Sequence, residues 1–411
     1  MQPTSAQSIV SRYVEDYPSA ASKKGLQVEL VDDALKLGIK HAALNLNLCA
    51  LVDPSDKPEG LPFDYEGKTY HFSAAYLESL DQKIKPLSDQ GVLVSIILLT
   101  YQSNDQTVNR IMIHPGCVKD APNRLGAFNT QSEEGLGWLA ATTTFLAERW
   151  SRPDQEYGRV VNWIVGNEVN SHWWWSNMGR VTKEQFTQEY AKAVRIVHQS
   201  VRNQSSWGRV FISLEHHWGI RYPAGDDQQA IPGFEFLKQF AAIVREDGDF
   251  DWHIAYHPYP ENLFEPRFWL DQSATNGLDT PRITFKNLAV LMEAIELPAL
   301  QFHGANRRVI LSEQGFHTPA GQDGQAVQAA AYCYAYRIVE SIEGIDAFIL
   351  HRHIDHADEG GLLLGLRGNQ ARAGEENPRK RIYDCFAAAD TPQWKATFAF
   401  ALPIIGIRDW P

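Results

Sequence analysis

Seven short runs of Val, Ile, Leu and Ala stand out along the chain, at residues 42–48, 93–100, 160–165, 210–214, 252–256, 309–311 and 345–350. They are apolar almost throughout rather than alternating, as parallel strands covered on both faces should be. Amphipathic stretches separate them and predict helices at 31–37, 76–89, 137–149, 183–201, 234–245, 284–296 and 325–341. Gly38 and Gly91 supply stop signals for the first two. Thr182 and Gln185 have the spacing of a capping box for the fourth. Strand and helix in repeated alternation predict an α/β fold. No GxGxxG follows the first strand, which favours a (β/α)8 TIM barrel over a dinucleotide-binding sheet.

Closure of such a barrel requires an eighth strand before residue 31, which we place around 25–28. Residues 53–72 read as a loop or small hairpin, with turn chemistry at Asp64-Tyr65-Glu66-Gly67. Residues 365–378 read as a polar loop after the last strand, and the apolar segment 394–411 is expected on the barrel exterior. No Pro/Gly/Ser-rich linker divides the chain. The organisation expected is an N-terminal extension over residues 1–23 and a single barrel with long βα loops over 24–411.

A length of 411 residues suits one barrel with elaborated loops. The net charge of −12 argues against nucleic acid or an anionic membrane as partner, since both need a basic face. A polyanionic partner would need local Arg and Lys clusters. No stretch approaches the roughly 20 apolar residues of a membrane helix. Cys49, Cys117, Cys333 and Cys385 are far apart and form no CxxC pair, so free buried thiols are expected. The first residues lack the basic start and apolar core of a signal peptide. That implies the cytoplasm if Met1 is the native start, and a secreted or periplasmic protein if a leader has been removed. Aromatic residues reach 11%, and several tryptophans sit in polar surroundings. Such indoles suit the apolar faces of sugar rings.

Two apolar runs end in glutamate. Val161-Asn162-Trp163-Ile164-Val165-Gly166-Asn167-Glu168 is one, and Val309-Ile310-Leu311-Ser312-Glu313-Gln314-Gly315 is the other. In a barrel, C-terminal strand ends line the active site. Two carboxylates there meet the requirement of retaining glycoside hydrolysis, one protonated to donate and one ionised to attack.

These residues resemble the signatures of the large clan of retaining (β/α)8 glycosidases. In that clan the acid/base Glu follows an Asn on the fourth strand, and the nucleophile Glu ends the seventh. The resemblance covers most of the chain, from about Lys24 to Ala389. The ending, with His351-Arg352-His353 and Glu359-Gly360-Gly361-Leu362, looks most like a bacterial family of predicted glycosidases. The resemblance implies Glu168 as general acid/base, Glu313 as nucleophile and Asn167 as donor to the sugar 2-hydroxyl. His257-Pro258-Tyr259 is similar to the clan's His-x-Tyr, implying that His257 and Tyr259 belong to the substrate-binding residues and that Tyr259 hydrogen-bonds the nucleophile. The activity implied is cleavage of O-glycosidic bonds in an oligo- or polysaccharide by double displacement, with no cofactor.

The chain departs from the clan in two places. The second strand, His41-Ala42-Ala43-Leu44-Asn45-Leu46-Asn47, lacks the clan's Arg, leaving Asn45 or Asn47 as neutral donors. The usual Trp platform on the eighth strand is replaced by His351 or His353. Glu215-His216-His217-Trp218 follows the fifth strand, so Glu215 or His216 is a candidate for sugar hydroxyls and Trp218 for ring stacking; a histidine here is equally readable as a satisfied core residue. Trp173-Trp174-Trp175 cannot all face one side of a helix, so one of them, Trp174 for choice, is expected in the cleft. Two other functions stay open. One is a carbohydrate-binding barrel without turnover, given the missing Arg. The other is a metal-dependent hydrolase built on His351, His353 and His356.

Overall fold

The continuous apolar runs become strands because each is sandwiched between barrel interior and surrounding helices. The computed structural model describes residues 9–55, 57–370 and 375–411. In it, β1 (Lys24–Gln27), β2 (His41–Asn47), β3 (Leu93–Leu99), β4 (Asn162–Val165), β5 (Arg209–Glu215), β6 (Trp252–His257), β7 (Val309–Gln314) and β8 (Ile345–Leu350) form a closed barrel. All pairs are parallel, and β8 returns to β1. Each strand is followed by a helix: α1 (Val31–Lys36), α2 (Ala74–Asp89), α3 (Glu133–Trp150), α4 (Lys183–Gln204), α5 (Gly233–Glu246), α6 (Ala289–Ile295), α7 (Gly324–Ser341) and α8 (Arg381–Ala388). This is a (β/α)8 TIM barrel.

Alternation along the strands separates two cores. Ala43, Ile97, Ile164, Phe211, Ala255, Ile310, Ala347 and Ile349 fill the interior, while Val94, Ile96, Trp163, Val165, Ile212 and Ile254 face the helices. Below the interior plug the contacts become polar. Asn162 Nδ2 donates to Ser95 Oγ at 3.1 Å, and Tyr17 Oη donates to Asn162 Oδ1 at 3.0 Å. The Tyr17 ring lies under the Arg209 guanidinium, 3.4 Å from the ring centroid, and Arg209 and Arg308 share Asp346. The segment before β1 thus covers the N-terminal mouth of the barrel.

The hairpin Leu61–Tyr65/Lys68–Phe72 turns through Glu66 and Gly67, both at positive φ (49° and 77°), as a two-residue type I′ turn requires. Its Phe63 and Phe72 pack on Phe145 of α3. The Thr182–Gln185 capping box is formed at the start of α4. The helix expected over 284–296 is instead a 3-10 turn, Phe285–Asn287, followed by α6. Thr284 and Asn287 cap each other there, and Asn287 Nδ2 also donates to the carbonyls of Thr275 and Arg282, which tightens the first turn. Cys49, Cys333 and Cys385 are buried and Cys117 half-buried, all as free thiols. No helix among the described residues is long and apolar enough to cross a membrane.

The seam between β1 and β8 is held by buried charge. Asp33 accepts from Arg367 Nε and Nη2 (both 2.8 Å), His353 Nε2 (2.9 Å) and Tyr383 Oη (2.8 Å). Burial alone would raise the Asp33 pKa, but these donors outweigh it and hold the carboxyl well below its usual range. A depressed carboxylate contributes stability above its unfolded pKa and loses it as pH falls towards the folded value. We therefore expect Asp33→Asn to cost about 3–5 kcal/mol in denaturant unfolding at pH 7, since it removes the buried carboxylate from Arg367. The gap between variant and wild type should close as the titration is repeated below about pH 4. A pH-independent gap would assign the loss to packing.

Candidate active site

Glu168 is presented by a turn that the sequence prepares two residues earlier. β4 ends at Val165, and Gly166 adopts φ +76°, where a Cβ would also press on Val169 at 3.0 Å. Glu168 itself is left-handed, with φ 42° and ψ 47°, a conformation that costs a non-glycine residue energy and needs external support. That support is present. Its backbone N–H donates to Ser213 Oγ at 3.0 Å, and the following Asn170 and Ser171 side chains are hydrogen-bonded to Glu215. Glu313 lies inside β7, next to Gln314, whose amide donates to the Ile349 carbonyl of β8 at 2.6 Å. Gly315 follows because the chain passes the His351 carbonyl so closely that a Cβ would stand 2.2 Å from it.

The two glutamates meet at His257. A carboxylate oxygen of Glu168, one of Glu313 and a ring nitrogen of His257 all lie within 4.8 Å of one another. His257 Nδ1 is 2.8 Å from Glu168 Oε1, and its Nε2 is 3.0 Å from Ser312 Oγ. Tyr259 Oη donates to Glu313 Oε1 at 3.2 Å. Burial raises the Glu168 pKa; the His257 hydrogen bond opposes this, and the charges of Glu313 and Glu215 add to it. For His257 burial acts downward, but the hydrogen bond to Glu168 and the Glu313 charge prevail and raise it. The pair therefore holds a proton at the mouth of the barrel. Burial, reinforced by Glu313, pushes Tyr259 far above its usual range, so its hydroxyl remains a donor.

Asn167, half-buried, shares the strand end with Glu168. Trp174 is half-buried against Tyr222, with centroids 4.5 Å apart. His351 is half-buried at the end of β8, its Nδ1 on Gln27 Oε1 and its Nε2 3.3 Å from Glu359. Asn45 is exposed beside Gln27, Glu29 and Arg352.

Several candidates are corrected. His257 is 1% exposed with both nitrogens engaged, so it serves Glu168 and not a sugar. His216 is buried and its Nδ1 bonds the Tyr259 carbonyl at 3.0 Å. Trp218 is fully buried: it stacks on Phe234 of α5 at 4.9 Å, and its indole N–H donates to the Leu278 carbonyl. His353 is fully buried on Asp33, behind the rim. Asn47 Oδ1 caps the short helix Leu48–Leu51 through Cys49 N and also accepts from Tyr101 N, so its oxygen belongs to the scaffold. His351 and His353 bond opposite partners, so the histidines expected to hold a metal do not converge. Among the described residues, the clusters with metal-ligand spacing are instead Glu168–His257–Glu313 and Glu215–His216–His217.

The sequence reading missed Ser213, Ser312, Tyr222, Glu359 and the part played by Glu215. Period-two spacing offered one clue: Phe211, Ser213 and Glu215 share the inward face of β5. Tyr101, also missed, and Trp175, one of the three tryptophans considered for the cleft, are partly buried and pack against the interior plug.

The structural class is a closed parallel barrel, here with one glutamate just after its fourth strand and one within its seventh. The chain belongs to the family described as "Family of unknown function (DUF5722)", whose model matches residues 16–411. No curated protein matches. Among solved structures, a family 39 glycoside hydrolase from the gut symbiont Bacteroides cellulosilyticus is similar at 13% identity and a TM-score of 0.57. The match covers 90% of this chain and 63% of that one, so this chain spans under two thirds of that protein's length. A β-glucosidase from Pyrococcus furiosus aligns at 13% identity and a TM-score of 0.54, over 91% of this chain and 86% of that one. A family 39 β-xylosidase from Caulobacter crescentus aligns at 15% and 0.52, over 91% and 73%. At these identities the likeness is one of fold.

The burial of Trp218 has a measurable consequence. Trp218→Ala should lower the unfolding free energy by about 3–5 kcal/mol. Trp218→Phe, which keeps a ring on Phe234, should recover most of that loss. An unchanged unfolding free energy in Trp218→Ala would return this residue to the surface.

Proposed function

We propose that this protein is a retaining O-glycosidase acting on an oligo- or polysaccharide by double displacement. The observation that carries the reading is the spacing of the two carboxylates, whose nearest oxygens lie within 4.8 Å. Nearest oxygens that close fit a retaining pair, whose carboxyl groups stand about 5–5.5 Å apart, better than an inverting pair, whose groups stand about 6.5–9.5 Å apart to admit a water. The strand positions of Glu168 and Glu313, and a fold shared with structures described as glycosidases, support the same reading.

In this mechanism Glu313 attacks the anomeric carbon while Glu168 gives its proton to the departing oxygen. Glu168, now a carboxylate beside His257, takes a proton from water, and that water cleaves the glycosyl ester of Glu313. The raised pKa of Glu168 suits its first task, since it remains protonated above the ordinary carboxylate range. Tyr259 gives Glu313 a neutral hydrogen-bond donor. Asn167, Trp174, His351 and Asn45 are proposed to contact the saccharide. The chemistry uses no cofactor.

The test is turnover on a panel of aryl glycosides and oligosaccharides by wild type, Glu168→Gln and Glu313→Gln. Glu168→Gln should lose about 10²–10⁴-fold in kcat/KM on substrates with poor leaving groups. Azide should rescue Glu168→Ala as a glycosyl azide of retained configuration. In wild type, kcat/KM should fall as pH rises through the raised Glu168 pKa, because the donor proton is then lost. Full activity in Glu313→Gln would overturn the assignment, and saccharide binding without turnover by wild type would make this a binding barrel.

A further inference from the structure

Glu215 is a fully buried carboxylate next to the catalytic centre to which the double displacement assigns no task. All its hydrogen-bonding capacity is spent on one stretch of chain and one histidine. Its Oε1 accepts from Asn170 Nδ2 at 2.7 Å and Ser171 Oγ at 2.9 Å; its Oε2 accepts from the His217 backbone N–H at 2.8 Å and from His217 Nδ1 at 2.6 Å. Asn170 answers by accepting from the Glu215 backbone N–H at 3.0 Å. Arg282 Nη2 lies 3.3 Å from His217 Nε2. Arginine can only donate, so Nε2 accepts and Nδ1 carries the hydrogen given to Glu215. A chain of hydrogen bonds therefore runs from Arg282 through His217 and Glu215 to Asn170 and Ser171, two and three residues beyond Glu168.

From this geometry we infer that Glu215 is the positioning residue of the general acid/base: it clamps the turn after β4 so that Glu168 is held in its left-handed conformation with its carboxylate on His257. The inference rests on the glycosidase reading for its kinetic consequence and on hydrogen bonds alone for its structural one. Left-handed backbone at Glu168 relaxes unless its surroundings over-determine it. The side chains that do so are Ser213 on the Glu168 N–H and Glu215 on the next turn, beside the backbone bonds from Ser171 N to the Glu168 carbonyl and from Ile231 N to the Asn170 carbonyl. The same contacts set aside the metal reading of Glu215, His216 and His217. Both oxygens of Glu215, both ring nitrogens of His217 and Nδ1 of His216 are already committed to protein partners.

Glutamine at this position would keep the shape and lose the clamp, because its amide group would face donors where Glu215 offers only acceptors. The groups facing Glu168 are His257 on β6, Tyr259 just after it, Glu313 on β7, Glu215 on β5 and Tyr222 in the loop after β5. Removing the Glu215 charge takes away one of two negative neighbours, so Glu168 ionises more easily and the alkaline limb of its pH profile moves down.

The experiment compares wild type, Glu215→Gln and the milder Ser171→Ala, which removes one of the four contacts and should fold where the first fails. In Glu215→Gln, kcat should fall about 10²-fold, as displacement of a catalytic group by about 1 Å can cause, while KM changes little. The alkaline limb should shift to lower pH. Ser171→Ala should give a smaller fall in kcat and leave the limb in place, because the charge is retained. Hydrogen exchange over residues 166–176 should rise in both variants, and a carbon-13 carboxyl titration should place Glu168 lower in Glu215→Gln. These last two readouts need no substrate. Wild type without turnover would sink the glycosidase reading, and exchange and titration would still decide the clamp. Unchanged exchange and an unchanged Glu168 titration in Glu215→Gln would overturn it.

Discussion

Everything in this molecule depends on the closure of the barrel between its last strand and its first. β1 is four residues long and meets β8 through Lys24, Gly25 and Leu26 alone. Gly25 lies so close to Ile349 and His41 that a Cβ would meet them at 2.8 and 2.9 Å, and only glycine allows both neighbours at once. A seam with so little apolar area cannot be held by burial alone. It is held by charge: Lys24 reaches Asp390 at 2.5 Å, and Asp33 gathers Arg367, His353 and Tyr383 from the loop and helix that follow β8. Buried ion pairs repay their desolvation only when every lone pair is satisfied, and Asp33 meets that condition with four donors.

Closure turns eight strand ends into one rim, and the rim brings Glu168 and Glu313 within reach of each other across β5 and β6. The electrostatics follow from crowding. Glu168, Glu313 and Glu215 converge with a single histidine bonded to the first of them, so the pocket favours a bound proton. The polar groups that hold the site in shape lie one strand away from the groups that react. Ser213 and Glu215 on β5 restrain β4, and Ser312 on β7 restrains His257 on β6.

The same satisfaction rule explains why several rim candidates turned out to be scaffold. His216, His257, His353 and Trp218 all follow strand ends, where side chains can face substrate. Each instead carries a polar atom that burial would orphan, and each has found a protein partner. Leaving such a group unpaired costs about 1–3 kcal/mol, so a buried histidine or indole is drawn to a carbonyl or carboxylate within reach.

The amino-acid sequence alone determined the architecture. The seven apolar runs, the helix stops and the Thr182–Gln185 box are local signals, and they are strong because parallel strands buried on both faces have few alternatives. The strand-end positions of Glu168 and Glu313 were legible for the same reason. β1 was faint because Leu26 is the single apolar residue of Lys-Gly-Leu-Gln, and its strand character comes from neighbours distant in the chain. Tertiary structure alone decided which side chains at the rim are free. The partner of His353 lies in α1, that of Trp218 in the loop holding Leu278, and those of His257 in the turn after β4 and on β7. Such pairings join residues tens to hundreds of positions apart, and no spacing along the chain encodes a hydrogen bond that only the closed barrel brings within 3 Å.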